Sequence, residues 1–194
     1  MSWLVVTSGY LLGAIPTAYI AGRLLRGEDI RQMGDGNAGA ANAWRQLRAK
    51  TGLAVFSIDV GKGFLAILIA QAAGVSQVAI LATGTAAVIG HNWPVYISFR
   101  GGRGESTAIG VLLTLLLQPM LIVAVPAISV LLLKKNVPLA SAFLFIPLPL
   151  VCWWYGISGM LIVYSMALPS LVGFTHFLRA RQATVDVVSR KLRG

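Results

Sequence analysis

GLAVFSIDVGKGFLAILIAQAA, residues 52–73, is the stretch that decides the fold. It is long enough for one membrane-crossing helix, which takes roughly 20 apolar residues. Only two of its side chains are charged, Asp59 and Lys62. A charge at that depth costs at least ~2.5–3.5 kcal/mol on insertion scales. The i, i+3 spacing sets the acid and the base on one helix face, acid first, where they can pair. Both must therefore face the interior of a bundle, either as a structural ion pair or as part of a site.

Similar apolar runs lie on either side. The first goes from about Trp3 to Gly22, with Gly9 and Gly13 at GxxxG spacing and then Pro16. No Lys or Arg precedes it, unlike the basic start of a signal peptide, so it reads as a retained span. Gly74, Val75 and Ser76 make a short turn into a run from Gln77 to Ile97. Two shorter runs, Ile109–Leu117 and Met120–Leu133, meet at Gln118-Pro119, a turn or helix start. Val137–Tyr155 and Ile157–Phe174 complete the set, with Trp153, Trp154 and Tyr155 where an interfacial aromatic belt belongs. About seven spans use roughly 140 residues and leave no room for a separate soluble domain. The fold expected is an all-α polytopic membrane bundle, a single domain over residues 1–194.

Composition agrees. Of 194 residues 57% are apolar and 11% charged, yet 16 Lys+Arg against 6 Asp+Glu give a net charge of +10. Soluble domains carry about 25% charged residues, and disordered chains are poorly hydrophobic. A nucleic-acid-binding domain reaches such a charge with many more polar residues, so no nucleic-acid partner is expected. The lone Cys152 excludes an intrachain disulfide.

The placement of the basic residues gives orientation. Six lie between the first and second spans: Arg23, Arg26, Arg31, Arg45, Arg48 and Lys50. Arg100 and Arg103 follow the third, Lys134 and Lys135 the fifth, and Arg179, Arg181, Arg190, Lys191 and Arg193 the last. The alternate connections carry none. Basic loops face the cytoplasm, so the N-terminus is expected outside and the C-terminus inside.

Two loops on that face carry candidate chemistry. Gly34, Gly36 and Gly39 are interleaved with Asp35, Asn37 and Asn42, and Arg45 follows. Glycines let backbone N–H groups turn to an anion, asparagines hydrogen-bond, and arginine grips phosphate with two donors. A flexible cytoplasmic loop is the alternative. Arg100, Gly101, Gly102, Arg103 and Gly104 precede Glu105, Ser106 and Thr107 and an apolar helix, a phosphate cradle or a basic turn at the membrane surface. The spacing is not that of a Walker A loop. His91 and His176 lie at the same depth, but two histidines without nearby Cys or paired carboxylates make a poor metal site. No metal and no cofactor are expected. Neither histidine has an aspartate five residues on, and no G-x-S-x-G occurs, so neither a histidine–aspartate base nor a serine nucleophile is supported.

With these segments in place the chain resembles the bacterial acyl-phosphate:glycerol-3-phosphate acyltransferase family over nearly its whole length. Gly34, Gly36, Asn37, Gly39, Ala40, Asn42 and Arg45 match the first family motif, and Asp59, Lys62 and Gly63 the second. Gly90, His91 and Pro94 match a third, and Phe99, Arg100, Gly101, Gly102, Arg103, Gly104 and Thr107 a fourth. The resemblance implies transfer of an acyl chain from acyl phosphate to the 1-hydroxyl of glycerol 3-phosphate. The products are lysophosphatidic acid and phosphate, and the setting is the bacterial inner membrane, with the site facing the cytoplasm. Acyl phosphate, glycerol 3-phosphate and membrane lipid are the expected partners. On this reading Arg45, Arg103 and His176 bind the acceptor phosphate. Asn37, Asn42 and the backbone of Gly101, Gly102 and Gly104 bind acyl phosphate and its developing oxyanion, and Gly34, Gly36, His91 and Thr107 complete the binding set. Arg103, His176 and Asp35 are the catalytic candidates, and Asp59–Lys62 holds span two against the site.

The departures are specific. Asp35 replaces a serine, Ala41 a threonine, Arg103 a lysine, and Arg179 stands where an asparagine is expected; Glu105 and Ser106 replace small residues. Asp35 and Arg179 either pair with each other or mark a changed acceptor. Two rival readings are an anion transporter, which needs a second basic cluster on the outer side that this sequence lacks, and a lipid-binding member with altered catalysis.

Overall fold

The computed structural model describes the backbone of residues 1–191 and side chains through Arg181. Arg190, Lys191 and Arg193 of the basic tail lie outside those side chains. All regular structure among the described residues is helical. Five segments are long and apolar enough to cross a membrane: Ser2–Arg26, Ala49–Ala72, Leu117–Lys134, Val137–Trp154 and Gly159–Arg181. The runs expected at 77–97 and near 109–117 form shorter helices, α5 (Gln77–Asn92) and α6 (Glu105–Leu115).

Prolines decide where the long runs break. The first run is not one helix but two, α1 (Ser2–Gly13) and α2 (Thr17–Arg26). Pro16 between them has no N–H to continue the ladder, and its ring opposes the turn before it. The first loop then contains a short 3-10 turn at Ile30–Gln32 and helix α3 (Ala40–Gln46). Helix α4 (Ala49–Ala72) is the deciding stretch and is unbroken. Pro119 lies in the first turn of α7 (Leu117–Lys134), where its missing N–H costs no bond. The run at 137–155 breaks at Ile146-Pro147 into α8 (Val137–Phe145) and α9 (Leu148–Trp154). The last helix, α10 (Gly159–Lys191), continues through Pro169 and well past the expected end at Phe174.

Close helix contact is made where side chains are missing. A Cβ on Gly13 would strike the carbonyl of Ala87, and one on Gly9 would meet Thr83. Helices α1 and α5 therefore touch backbone to backbone and run in the same direction. A Cβ on Gly63 of α4 would strike the Thr107 carbonyl of α6. Small residues at such crossings are how helices pack in lipid, where apolar burial gives no drive of its own. Ile67, Val88, Val111, Leu112, Met120, Leu148 and Leu168 fill the main core. Ile30, Ala43, Leu47 and Val55 form a smaller one beneath the first loop. Outside, Leu24, Leu133 and Trp154 are 80%, 80% and 77% exposed, a lipid-facing surface rather than a watery one.

Candidate active site

The break at Pro16 creates the deepest part of the site. It leaves the Ile15 carbonyl turned toward α4, where Lys62 Nζ donates to it at 2.8 Å. Lys62 also pairs with Asp59 at 2.8 Å, both side chains under 5% exposed. Thr17, the first residue of α2, donates its hydroxyl to Asp59 Oδ1 at 2.9 Å. His91 Nδ1 lies 3.4 Å from Lys62 Nζ and 3.8 Å from Asp59. The two charges thus pair within a four-membered polar group that joins α2, α4 and α5 and holds the Ile15 carbonyl of the break before α2.

His91 carries this group up to the glycine turn. Gly102 lies so flat on the imidazole that a Cβ there would strike His91 Nε2, so only glycine fits. The turn is pinned by its own backbone, Gly102 N–H donating to the His91 carbonyl at 3.1 Å and Gly101 N–H to Asn92 at 3.2 Å. Gly104 has φ +84°, in the left-handed region, and ends the turn at the start of α6. The first N–H groups of α6 have no partner inside the helix and face outward from its N-terminus. Arg103 Nε, Asn92 Oδ1 and Thr107 Oγ1, grouped around this turn, are buried without a hydrogen-bond partner. Such orphaned polar atoms concentrate where a ligand or water is held.

The first loop is laid against this turn. Arg31 donates to the carbonyls of Ile97 at 2.9 Å and Arg100 at 3.5 Å. It also forms an ion pair with Asp29 at 2.6 Å. That guanidinium holds the Asp29 carboxyl below its usual range, and Asp29 in turn raises Arg31. Asn42, expected to bind acyl phosphate, is turned into the loop. It is fully buried, and its Nδ2 donates to the carbonyls of Ile30, Met33 and Asn37, clamping the loop from within. Only its Oδ1 is left unpartnered, against Gly34.

Asp35 faces the cations. Its Oδ2 lies 2.9 Å from Arg45 Nη2 and 3.7 Å from Arg103 Nη2. Its Oδ1 accepts the Asn37 N–H at 3.2 Å. The compensating pair with Arg179 does not form. Arg179 instead donates to the Asn92 carbonyl at 3.2 Å, and Asn92 Nδ2 donates to Thr175 at 2.9 Å, tying α10 to the end of α5.

Two residues that the sequence did not assign complete the arrangement. Ser141 of α8 donates its hydroxyl to Glu105 Oε1, and Glu105 Oε2 lies 3.9 Å from His176 Nε2. The three stand at one end of a groove of about 470 Å³ between α8–α9 and α10. Its remaining wall includes Ala142, Phe145, Ile146, Met166, Pro169 and Val172. Glu105, Ser141 and His176 are thus the polar groups of an otherwise largely apolar trough. Among the described residues no cluster of His, Cys, Asp and Glu is arranged to hold a metal ion.

The sequence matches the glycerol-3-phosphate acyltransferase family model over residues 3–185. It is 52% identical to glycerol-3-phosphate acyltransferase 4 of Dehalococcoides mccartyi (strain ATCC BAA-2266 / KCTC 15142 / 195), covering 94% of this chain and 98% of that one. A Synechococcus (strain CC9902) glycerol-3-phosphate acyltransferase is 37% identical over 90% of this chain and 88% of its own. Among solved structures the fold is similar to PlsY (YgiH), an integral membrane glycerol 3-phosphate acyltransferase, in its glycerol 3-phosphate form. The TM-score is 0.84 at 31% identity, covering 95% of this chain and 92% of that one. The lysophosphatidic acid form of the same enzyme gives a TM-score of 0.81.

Proposed function

Since the chain belongs to the glycerol-3-phosphate acyltransferase family, we propose the following working of its site. The protein is a membrane acyltransferase of phospholipid synthesis. It moves an acyl chain from acyl phosphate to the 1-hydroxyl of glycerol 3-phosphate and yields lysophosphatidic acid and phosphate. The observation that carries this reading is the pairing of Arg45 and Arg103 around Asp35 beside an apolar groove that includes Glu105, Ser141 and His176. Arg45, Arg103 and His176 take the acceptor phosphate, with Ser141 beside them. The acyl tail lies in the groove between α8–α9 and α10. Its carbonyl then reaches the N-terminus of α6, where backbone N–H groups stabilise the developing oxyanion.

The acceptor hydroxyl attacks the acyl carbon, and the bond from that carbon to the phosphate oxygen breaks. The hydroxyl proton passes to the departing phosphate, which is basic enough to take it. The protein contributes positioning and charge stabilisation. Asp59, Lys62, Thr17 and His91 hold the glycine turn in place, and Asn42 holds the first loop.

The chain acts as one domain that crosses the bacterial inner membrane seven times, N-terminus outside, C-terminus and active site toward the cytoplasm. The parallel run of α1 and α5, with α4 returning between them, supports counting the short α5 as a crossing. The gathering of Arg31, Arg45, Arg100 and Arg103 at one end supports the orientation. The test is incubation of purified protein with palmitoyl phosphate and glycerol 3-phosphate, following phosphate release and lysophosphatidate by mass spectrometry. Product well above an enzyme-free blank is expected, and none above it would overturn the proposal.

A further inference from the structure

The groups best suited to hold the acceptor phosphate are already in contact with carboxylates of the chain itself. Asp35 Oδ2 lies 2.9 Å from Arg45 and 3.7 Å from Arg103. Glu105 accepts the Ser141 hydroxyl and stands 3.9 Å from His176. Both acids stand where the resemblance read from the sequence implies an uncharged residue. Together they bring two negative charges, the charge of one phosphate dianion, to the four side chains that such a dianion needs.

We propose that Asp35 and Glu105 are specificity-determining residues, internal anions that occupy the acceptor-phosphate contacts and must be displaced when the acceptor binds. This rests on the acyltransferase reading of the same site. Binding of an anion here is an exchange. A monoanionic carboxylate entering the site replaces like with like and gains little. A phosphate dianion carries on one group the two charges of both carboxylates it expels, and its three acceptor oxygens serve the cations and hydroxyl together. The two residues therefore raise the threshold for every anion and leave the dianionic phosphate ester as the one that crosses it. Neither acid is fully enclosed: the Asp35 side chain is 36% exposed and that of Glu105 22%, so each has room to turn outward.

The test uses the full-length protein and two isosteric variants, Asp35→Asn and Glu105→Gln, backed by Asp35→Ser and Glu105→Ala should either fail to fold. Two constants are read, the KM for glycerol 3-phosphate and the Ki of inorganic phosphate. Both fall about tenfold in each variant if the acids act as stand-in anions. A residue that only supports the fold raises KM or leaves both constants within twofold, and that result at either position overturns the proposal. If the wild-type protein forms no lysophosphatidate, the acyltransferase reading has failed separately. Calorimetric titration of the same variants with inorganic phosphate then still decides whether the internal anions compete for the site.

Discussion

Replacing Lys62 by methionine keeps the length of the side chain and deletes its charge. Three contacts are lost together: the 2.8 Å pair with Asp59, the 2.8 Å bond to the Ile15 carbonyl and the approach to His91 at 3.4 Å. Asp59 is left 1% exposed with Thr17 as its remaining donor. Breaking a buried pair from one side costs about 3–5 kcal/mol, because the surviving charge stays desolvated. For a chain of this size each kcal/mol lowers Tm by roughly 2–4 °C. Thermal unfolding in detergent, followed by the fluorescence of the five tryptophans, is then expected to drop by about 6–20 °C. The double variant Asp59→Asn, Lys62→Met removes both charges and should regain much of that loss, since no charge is then stranded and the Thr17 hydroxyl still has an acceptor at 59. A single variant as stable as the wild type would refute the argument. So would a double variant no better than the single one, because the penalty would then not come from the stranded carboxylate.

Arg103→Ala removes a cation from the site and is expected to lower kcat/KM for lysophosphatidate formation by about 100-fold or more, measured by phosphate release. Gly63→Ala places a methyl against the Thr107 carbonyl and should cost on the order of 1–3 kcal/mol, read as a lower Tm. Asp29 is held below its usual range mainly by the hydrogen bond from Arg31. The unfolded chain therefore binds its proton first, so the stabilisation is complete above the ordinary carboxylate range and is lost as pH falls through and below about 4. Asp29→Asn should flatten the decline of Tm with acid over that interval, and an unchanged slope would count against the Arg31 contact.

The membrane bundle was legible because each apolar run is a local signal. Its breaks were less so. Pro16 and Pro147 interrupt their runs, whereas Pro126 and Pro169 stay within helices. Hydropathy does not distinguish the two outcomes, since neighbouring helices decide whether the freed carbonyls find partners. Asp59 and Lys62 were legible as a pair because three residues of helix fix their geometry, but Thr17 and Ile15 join them from over 40 positions away. Ser141 gave no sign, being one hydroxyl in an apolar run and 36 residues from Glu105. Asn42 was visible as a motif residue, but only the folded loop shows its amide turned inward to three carbonyls.

The backbone contact of α1 with α5 has a bearing on measurement within the molecule. Gly9 and Gly13 leave no clearance for a side chain against Thr83 and Ala87, so α1 cannot slide by one residue without collision. The first helix is thus indexed like a ruler against a fixed notch. What it gauges is the depth of Ile15, and hence the height at which that carbonyl meets the Lys62 ammonium. A tolerance set by two residues without side chains thus fixes the level at which the carbonyl just beyond them meets the buried ammonium.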